Sequence, residues 1–386
     1  MRKKLFDLNA NYVLFTGRLE KDFPNYFNLK YSRQITTSSD IQNLIDNETA
    51  VISYFLGENI DRIYRFVITK KRMKIFHSIL NEDYEKYIKG FNNALFFNHL
   101  EIFDTSADQL SDLLIPKIPG NIESLIIIPS GRLGTIPFEA LKATTKKGAS
   151  GETQYMVKSY AISYEFSAAL LKQKGLSESS ISLPKAFLCA PVKFPGHEQL
   201  PELPGTEREV SVIGDLFTAE NKSVVVFDAA NETIIKSGSL SSYDYIHFAT
   251  HGIVDEMEPE LSCIFLNADD QEDGNLYTGE LFNLELDAEM VVLSACQTGL
   301  GKLSKGEGVI GLSRALTYAG AQNIVVSFWT VADQSTAELM TDFYAIKLKN
   351  PDLSFSEALR QSKLKMINGS KYSSPYFWAP FVLIGR

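Results

Sequence analysis

The feature that most constrains the fold of this 386-residue chain is an alternation of short apolar runs with longer amphipathic stretches after residue 185. Runs of this length, bounded by polar residues, are typical of buried β-strands. Six of them lie at 186–190, 223–227, 244–249, 263–267, 290–294 and 323–328. Helices are predicted between several of them, at 205–217, 307–319 and 334–348. This alternation indicates a mostly parallel sheet flanked by helices on both faces, and therefore an α/β fold.

The first half of the chain has a different pattern. Residues 50–57, 62–69 and 72–76 are rich in β-branched and aromatic residues and are separated by short breaks, which predicts an antiparallel meander. Residues 80–115 are predicted to be mostly helical, and 124–128 (SLIII) to form another buried strand.

A polar, punctuated stretch near 173–184 (QKGLSESSISLP) predicts a boundary between two parts of the chain. We therefore expect an N-terminal lead-in helix and linker over 1–40, an N-terminal half over 41–182 and a C-terminal half over 183–386. Leu5, Leu8 and other apolar residues of the lead-in can be buried only by docking.

Charge and cysteine content limit the classes of function. The formal net charge of −9 argues against general binding of nucleic acid. Three cysteines, an odd and sparse set, favour a reducing compartment over a disulfide framework. No apolar run approaches the roughly 18 residues that span a bilayer, and the N-terminus does not resemble a secretory signal. We expect a cytoplasmic protein that does not bind membranes.

Two reactive side chains follow two of the predicted strands. His251 comes just after the apolar run in DYIHFATHG, and Cys296 just after the run in MVVLSACQTG. Functional residues of parallel sheets gather beyond the carboxyl ends of the strands. A cysteine and a histidine side by side at that edge can form a nucleophile–base pair. Taken singly, each has a plainer interpretation as a core or hydrogen-bonded residue; the pair at corresponding strand ends favours the catalytic one.

The residues around the pair suit peptide-bond hydrolysis. A nearby imidazole raises the thiolate fraction of a cysteine and later donates a proton to the leaving amine. Gly252 follows His251 directly, and the backbone N–H groups of Gly252 and Cys296 could form an oxyanion hole.

The chain resembles the CHAT domain family, the caspase- and separase-related cysteine peptidase domains often found behind tetratricopeptide repeats. The matching segments are HFATHG at 247–252, a long stretch at 293–333 that begins LSACQTG, WAPFVLIG at 378–385 and IIIPSGRLGTIPFEAL at 126–141. The His251-to-Cys296 separation of 45 residues is close to the caspase spacing of about 50, although SACQTG departs from the strict caspase motif.

The resemblance implies a caspase-like fold in which the N-terminal half is a degenerate, non-catalytic partner of the active half. It implies a thiol protease with His251 and Cys296 as the catalytic pair. It also implies cleavage after a basic residue bound by an acidic residue, for which Asp333 is the first candidate and Glu307 the second. Asp333 has an equally good interpretation as the N-cap of the helix that starts near Gln334.

Partners and cofactors follow from the same interpretation. We expect a protein substrate, regulation by an upstream tetratricopeptide-repeat region or an activating partner, and no cofactor. The chain is then the C-terminal part of a longer protein or one arm of an assembly. GEGVIG at 306–311 does not follow a strand directly, so it is a poor dinucleotide site. No histidine–cysteine spacing suits zinc, and no metal is expected. The alternative hypothesis is a catalytically silent scaffold or interaction module that keeps the peptide groove.

Overall fold

The computed structural model describes residues 35–386 apart from 58–60, 82, 144–153, 176–182, 198, 256–257, 295–307, 330 and 332, and of the first 34 residues only 8, 14, 15, 17, 18 and 21. The chain divides into two compact units, Met1–Thr37 and Ser38–Arg386. The described residues of the first unit that precede residue 35 are helical, and Leu8, Leu14 and Phe15 among them are exposed.

The second unit contains fourteen strands among its described residues. In chain order they are β1 (Thr49–Leu56), β2 (Arg62–Thr69), β3 (Arg72–Ile79), β4 (Ser124–Ile128), β5 (Ala161–Tyr164), β6 (Ala186–Ala190), β7 (Lys222–Val226), β8 (Tyr245–Phe248), β9 (Gly252–Ile253), β10 (Cys263–Phe265), β11 (Asn275–Tyr277), β12 (Met290–Leu293), β13 (Asn323–Ser327) and β14 (Phe381–Ile384). Eleven of them form one sheet in the order β3-β2-β1-β4-β5-β14-β13-β12-β8-β6-β7.

Helices cover this sheet. They are α1 (Ser38–Leu44), α2 (Tyr84–Phe96), α3 (Leu100–Leu114), α4 (Met156–Ser159), α5 (Ala168–Lys174), α6 (Pro204–Gly214), α7 (Glu232–Lys236), α8 (Thr278–Leu281), α9 (Gly308–Ala319), α10 (Asp333–Lys349), α11 (Phe355–Asn368) and α12 (Pro375–Trp378). Among the described residues, none of these helices combines the length and the apolar character that crossing a bilayer requires. The predicted α/β fold, a mostly parallel sheet flanked by helices, is confirmed.

The two halves of the large sheet run in opposite directions. Strands β6, β7, β8, β12 and β13 are parallel to one another. Strand β14 is antiparallel to β13 but parallel to β5, and β5, β4 and β1 share one direction. The carboxyl ends of the C-terminal parallel strands therefore lie on the same side of the sheet as the amino ends of β1, β4 and β5. We call this side, which is formed by strand ends, the carboxyl edge. Loops that follow β4 and β5 emerge at the other edge.

Apolar residues on both faces explain the central strands. All residues of β6, β8, β12, β13 and β14 are buried, as expected for strands with helices on each side. The predicted meander is confirmed as β1, β2 and β3, with β3 continuing to Ile79.

The predicted strand at 263–267 belongs to a different sheet from the one expected. It forms β10 at Cys263–Phe265, in the middle of a small antiparallel sheet with β9 and β11. A short apolar run has the same appearance in either sheet, and its partners Gly252–Ile253 and Asn275–Tyr277 are too short to form a recognisable pattern.

The N- and C-terminal strands meet where β5 pairs with β14, and a buried ion pair lies beside this junction. Lys363 Nζ on α11 is 3.0 Å from Glu139 Oε1, in a 3₁₀ turn at Phe138–Ala140, and both side chains are buried. The Tyr164 hydroxyl at the end of β5 donates to Glu139 Oε2 at 2.5 Å. Since each oxygen of the carboxylate has a donor, the pair joins α11 to the N-terminal strands with its charge compensated.

Candidate functional site

The candidate site lies at the carboxyl ends of β8 and β12, which are adjacent and parallel. Phe248 at the end of β8 pairs with Leu293 at the end of β12, and the Ser294 N–H donates to the Phe248 carbonyl at 3.0 Å. His251 is three residues beyond Phe248, and Cys296 is three residues beyond Leu293. Cys296 and Glu307 lie outside the described residues, so the register of the two strands, rather than a distance between the side chains, relates His251 to Cys296.

His251 is buried, with 1% of its surface exposed. Its Nε2 is 2.8 Å from the carbonyl oxygen of Pro201, which can only accept a hydrogen bond. Nε2 therefore carries a proton, and in the neutral ring the lone pair is on Nδ1. The Phe194 ring packs against the imidazole with 4.8 Å between centroids. Loop 191–203, which follows β6, thus orients the histidine and determines which nitrogen can act as a base.

The backbone around His251 is fixed by β10. The Phe265 N–H donates to the His251 carbonyl at 2.9 Å, and the Thr250 hydroxyl donates to the Phe265 carbonyl. Opposed residues of an antiparallel ladder alternate between hydrogen-bonded and non-hydrogen-bonded pairs. Because His251 and Phe265 form a hydrogen-bonded pair, the next pair, Gly252 and Ile264, is not one. The Gly252 N–H accordingly points away from β10, as an oxyanion donor requires.

A second histidine connects the same strand to two helices. His247 on β8 is fully buried; its Nε2 is 3.0 Å from Glu209 Oε1 on α6, and its Nδ1 is 3.2 Å from the Tyr344 hydroxyl on α10. Burial raises the pKa of Tyr344 well above its ordinary value, so the hydroxyl keeps its proton. Because the Glu209 carboxylate accepts from Nε2–H, Nδ1 of the neutral ring accepts from the Tyr344 hydroxyl. His247 is thus part of the structural core.

These hydrogen bonds hold helices α6 and α10 against β8, and the starts of both helices can be related to the candidate site. Helix α6 begins three residues after Pro201, and α10 begins at Asp333, six residues after β13 ends. Since β13 is parallel to β12, the start of α10 lies at the same edge as His251. The helix was expected to start near Gln334 and begins one residue earlier. The side chain of Asp333 lies outside the described part of the chain, so both of its predicted roles stay predictions.

The two described thiols contrast with the predicted nucleophile. Cys189 and Cys263 are buried, and both are free thiols rather than members of a disulfide bond. Burial raises the pKa of both, that of Cys263 to about 11. At neutral pH both are almost entirely protonated and hence poor nucleophiles.

Three carboxylates converge beside β11, but a lysine lies among them. Glu232, Glu272 and Glu280 offer oxygens within 4.8 Å of one another. Lys236 Nζ is 2.6, 2.9 and 2.6 Å from their oxygens, respectively. The ammonium supplies the positive charge that a metal ion would otherwise bring.

Sequence reasoning missed the contacts that orient the candidate site. The Pro201 acceptor is a backbone carbonyl 50 residues before His251, and a carbonyl is present at every residue. Glu209 and Tyr344 lie 38 and 97 residues from His247 along the chain. No short-range pattern connects such pairs. The one available signal that His247 has buried polar partners was its position within an otherwise apolar strand.

Comparisons with known proteins agree with this architecture. The family model described as CHAT domain matches residues 104–386. Human tetratricopeptide repeat protein 28 is 25% identical over 344 residues, which is 72% of this chain and 13% of that protein. Its mouse counterpart is 34% identical over 111 residues, 28% of this chain and 4% of that protein. The chain thus spans about an eighth or less of the length of these curated relatives.

The structural likeness concerns the fold. In a crystal structure of the Saccharomyces cerevisiae separase–securin complex, one chain superposes with a TM-score of 0.57 at 10% identity, covering 98% of this chain and 34% of that one. The sequence-based assignment to the CHAT domain family is confirmed. Because the family model covers well over half of its residues, the chain belongs to the CHAT domain family.

Proposed function

We propose that this protein is a cysteine endopeptidase with Cys296 as nucleophile and His251 as general base. One observation carries the proposal: Phe248 pairs with Leu293 in parallel strands, and the two reactive residues follow that pair at the same distance of three residues. From these equal offsets we expect His251 and Cys296 to leave the sheet side by side.

The tautomer of His251 sets the direction of proton transfer. With Nε2–H donating to Pro201, Nδ1 takes the Cys296 thiol proton. The thiolate attacks the scissile carbonyl carbon and forms a tetrahedral oxyanion, which the N–H groups of Gly252 and Cys296 stabilise. The imidazolium then protonates the leaving amine as the C–N bond breaks. Water, activated by the same Nδ1, hydrolyses the thioester and restores the thiol.

Specificity for a basic residue rests on Asp333. Its backbone lies at the carboxyl edge of the parallel strands, where a substrate bound at His251 would extend. A carboxylate there can bind a guanidinium with two parallel hydrogen bonds, which favours arginine over lysine. Glu307 is the second candidate for this role.

We assign regulation to the parts of the protein that do not carry the dyad. Residues 41–182 act as the non-catalytic half and 183–386 as the catalytic half. An upstream repeat region or a partner shifts the catalytic loops toward the competent state, to the extent that it binds that state more tightly. The similarity to tetratricopeptide repeat protein 28 supports an association with such repeats. The isolated chain should then cleave slowly.

A silent peptide-binding module is the second candidate function. The observation that favours it is the burial of His251, since a base with 1% exposure needs a rearrangement before a substrate can reach it. Such a module would bind peptides at the same edge and leave them intact.

A cleavage profile on a peptide library separates the two functions. The endopeptidase should cut after arginine, and the Cys296→Ala variant should not cut at all. Binding of uncut peptides by the parent protein and the variant alike, with no turnover in the presence of any partner, would favour the silent module instead.

A further inference from the structure

Strand β3 is the last strand at one side of the large sheet, and no strand of the described residues lies beyond it. It is the terminal strand, eight residues long, and pairs with β2 alone among the strands of the described residues. Long, open edge strands are liable to pair with other chains, and proteins usually shorten or cover them. An edge of this length is therefore a candidate for binding an extended segment.

The side chains of β3 alternate in character. Met73, Ile75 and Ile79 point to one face with 42%, 54% and 70% of their surfaces exposed, and we call them the apolar row; the exposed His77 lies between the last two on the same face. Arg72 and Lys74 point to the other face and are also exposed; we call them the basic row.

The apolar row continues a partly covered face of the sheet. Met73 is opposite Ile68 on β2, which is opposite Val51 on β1. This end packs beneath α1 and α5. Toward the other end the face is more exposed, and 52% of the surface of Phe55 on β1 is accessible. The core of the sheet thus extends into an apolar surface that reaches β3.

The charge around this edge is opposite to that of the whole protein. Residues 62–79 contain six basic residues and no acidic one, in a chain of net charge −9. Arg65 is buried; the others, Arg62, Lys70, Lys71, Arg72 and Lys74, are exposed. None of these five takes part in an ion pair with another described residue.

We infer that β3 binds an extended segment of a partner protein in which acidic and apolar residues alternate. The segment adds to the sheet as a twelfth strand through main-chain hydrogen bonds. Its apolar side chains contact Met73, Ile75 and Ile79, and its acidic side chains contact Arg72 and Lys74. The two-residue period of a strand delivers both sets at once.

The charge pattern favours such a partner over two others. A second copy of this chain pairing through β3 would bring no carboxylate to the basic residues, because residues 62–79 have none. A nucleic acid would meet the basic residues but leave the apolar row against phosphates, and it would be repelled by the net negative charge of the protein.

Binding of a synthetic peptide tests this inference. The probe is a fluorescein-labelled twelve-residue peptide of alternating glutamate and valine, and its control has the same composition with the two residue types in separate blocks. All proteins carry Cys296→Ala, so the outcome is independent of peptidase activity. Fluorescence anisotropy should show binding of the alternating peptide at least tenfold tighter than binding of the control, and hydrogen exchange should show protection of 72–79.

Charge reversal identifies the contact. Arg72→Glu with Lys74→Glu should weaken binding at least tenfold and should favour a peptide with lysine in place of glutamate. Lys185→Glu with Lys349→Glu, at two exposed sites elsewhere, changes the net charge equally and should leave binding unchanged.

Several results would overturn the inference: no binding of the alternating peptide, equal weakening by both double variants, or protection at another site. A dimer that Ile75→Glu converts to monomers would assign β3 to a second copy. An oligonucleotide that protects 72–79 and resists displacement by the peptide would assign it to nucleic acid.

Discussion

The two sets of parallel strands in the large sheet end in residues of different chemistry. In the C-terminal set, β8 and β12 lead to His251 and Cys296. In the N-terminal set, β5 leads to Glu165, whose carboxylate is 3.4 Å from Lys174 Nζ and accepts from the Phe166 N–H at 2.8 Å. Beyond the first set lie a histidine and a cysteine, both groups that can titrate near neutral pH in a suitable environment. Beyond β5, in the second set, lies a carboxylate that is bound by a lysine and a backbone N–H.

Direction separates the two sets further. Because β1, β4 and β5 are antiparallel to β8 and β12, the loops that follow them emerge at the opposite edge from His251. The N-terminal half can therefore support the candidate site through the shared sheet, but its own strand ends cannot complete that site. Similar strands can thus serve different purposes depending on which edge their carboxyl ends occupy.

The largest expected effect concerns the dyad. Cys296→Ala and His251→Ala should each lower kcat/KM by about 10³-fold or more, and the double variant should be no slower than either single one, because the two act as a unit. Ser130→Ala, in the loop after β4 at the opposite edge, should leave kcat/KM unchanged. A double variant far slower than both single variants would contradict the dyad.

The next effect tests the buried junction between the halves. Lys363→Met leaves the Glu139 carboxylate buried without its cation, and we expect a loss of about 3–5 kcal/mol in the free energy of unfolding. Lys365→Met, on the same helix, removes an ion pair from a lysine whose side chain is 63% exposed and should cost at most about 1 kcal/mol. Urea denaturation measures both.

A second change checks the cause. Adding Glu139→Gln to Lys363→Met removes the uncompensated charge while keeping an acceptor for Tyr164, so part of the loss should be recovered. Equal destabilisation by Lys363→Met and Lys365→Met would show that the junction does not depend on this pair.

Asp333 should produce a smaller effect on catalysis. Asp333→Asn is expected to lower kcat/KM on arginine peptides by about 100-fold, because a neutral amide loses the charge-assisted contact. Peptides with citrulline, a neutral analogue of arginine, should lose much less. Asp342→Asn, farther along α10, serves as the control. An equal loss on both kinds of peptide would assign Asp333 to the helix start alone.

The smallest effect is a pH dependence at the end of β5. Burial raises the pKa of Glu165 above its ordinary value of 4.5, although Lys174 and the Phe166 N–H partly oppose this. Between 4.5 and the raised value the folded protein binds more protons than the unfolded one, so the free energy of unfolding should fall as pH rises through that window. Glu165→Gln should remove this fall, and Lys174→Met should enlarge it. Denaturation at a series of pH values gives the slopes; a slope unchanged in Glu165→Gln would contradict the assignment.

The strands could be predicted because their signal is local. Apart from Ser124, the strands Ser124–Ile128, Ala186–Ala190 and Met290–Leu293 are apolar throughout, and only burial on both faces accounts for such runs. Sheet membership could not be predicted for 263–267, because it depends on pairing with Gly252–Ile253. The same holds for direction: that β14 is antiparallel to β13 follows from tertiary packing.

The candidate residues were accessible to sequence reasoning, and their supports were not. His251 stands at a strand end next to a glycine, which is a pattern visible within a few residues. The Pro201 carbonyl that selects its tautomer is a backbone group without a sequence signature. The partners of His247 lie on two helices whose approach depends on the complete fold.

Covalent labelling of the intact protein tests the central claim most directly. A peptide ending in an arginyl acyloxymethyl ketone, which alkylates activated thiolates, is added at neutral pH, and the modified residue is identified by mass spectrometry. Cys296 should be labelled stoichiometrically, while the buried Cys189 and Cys263 serve as internal controls and stay unmodified. His251→Ala should abolish the labelling. The catalytic dyad would be contradicted if Cys296 were labelled slowly and at the same rate in the parent protein and in His251→Ala, with or without a partner.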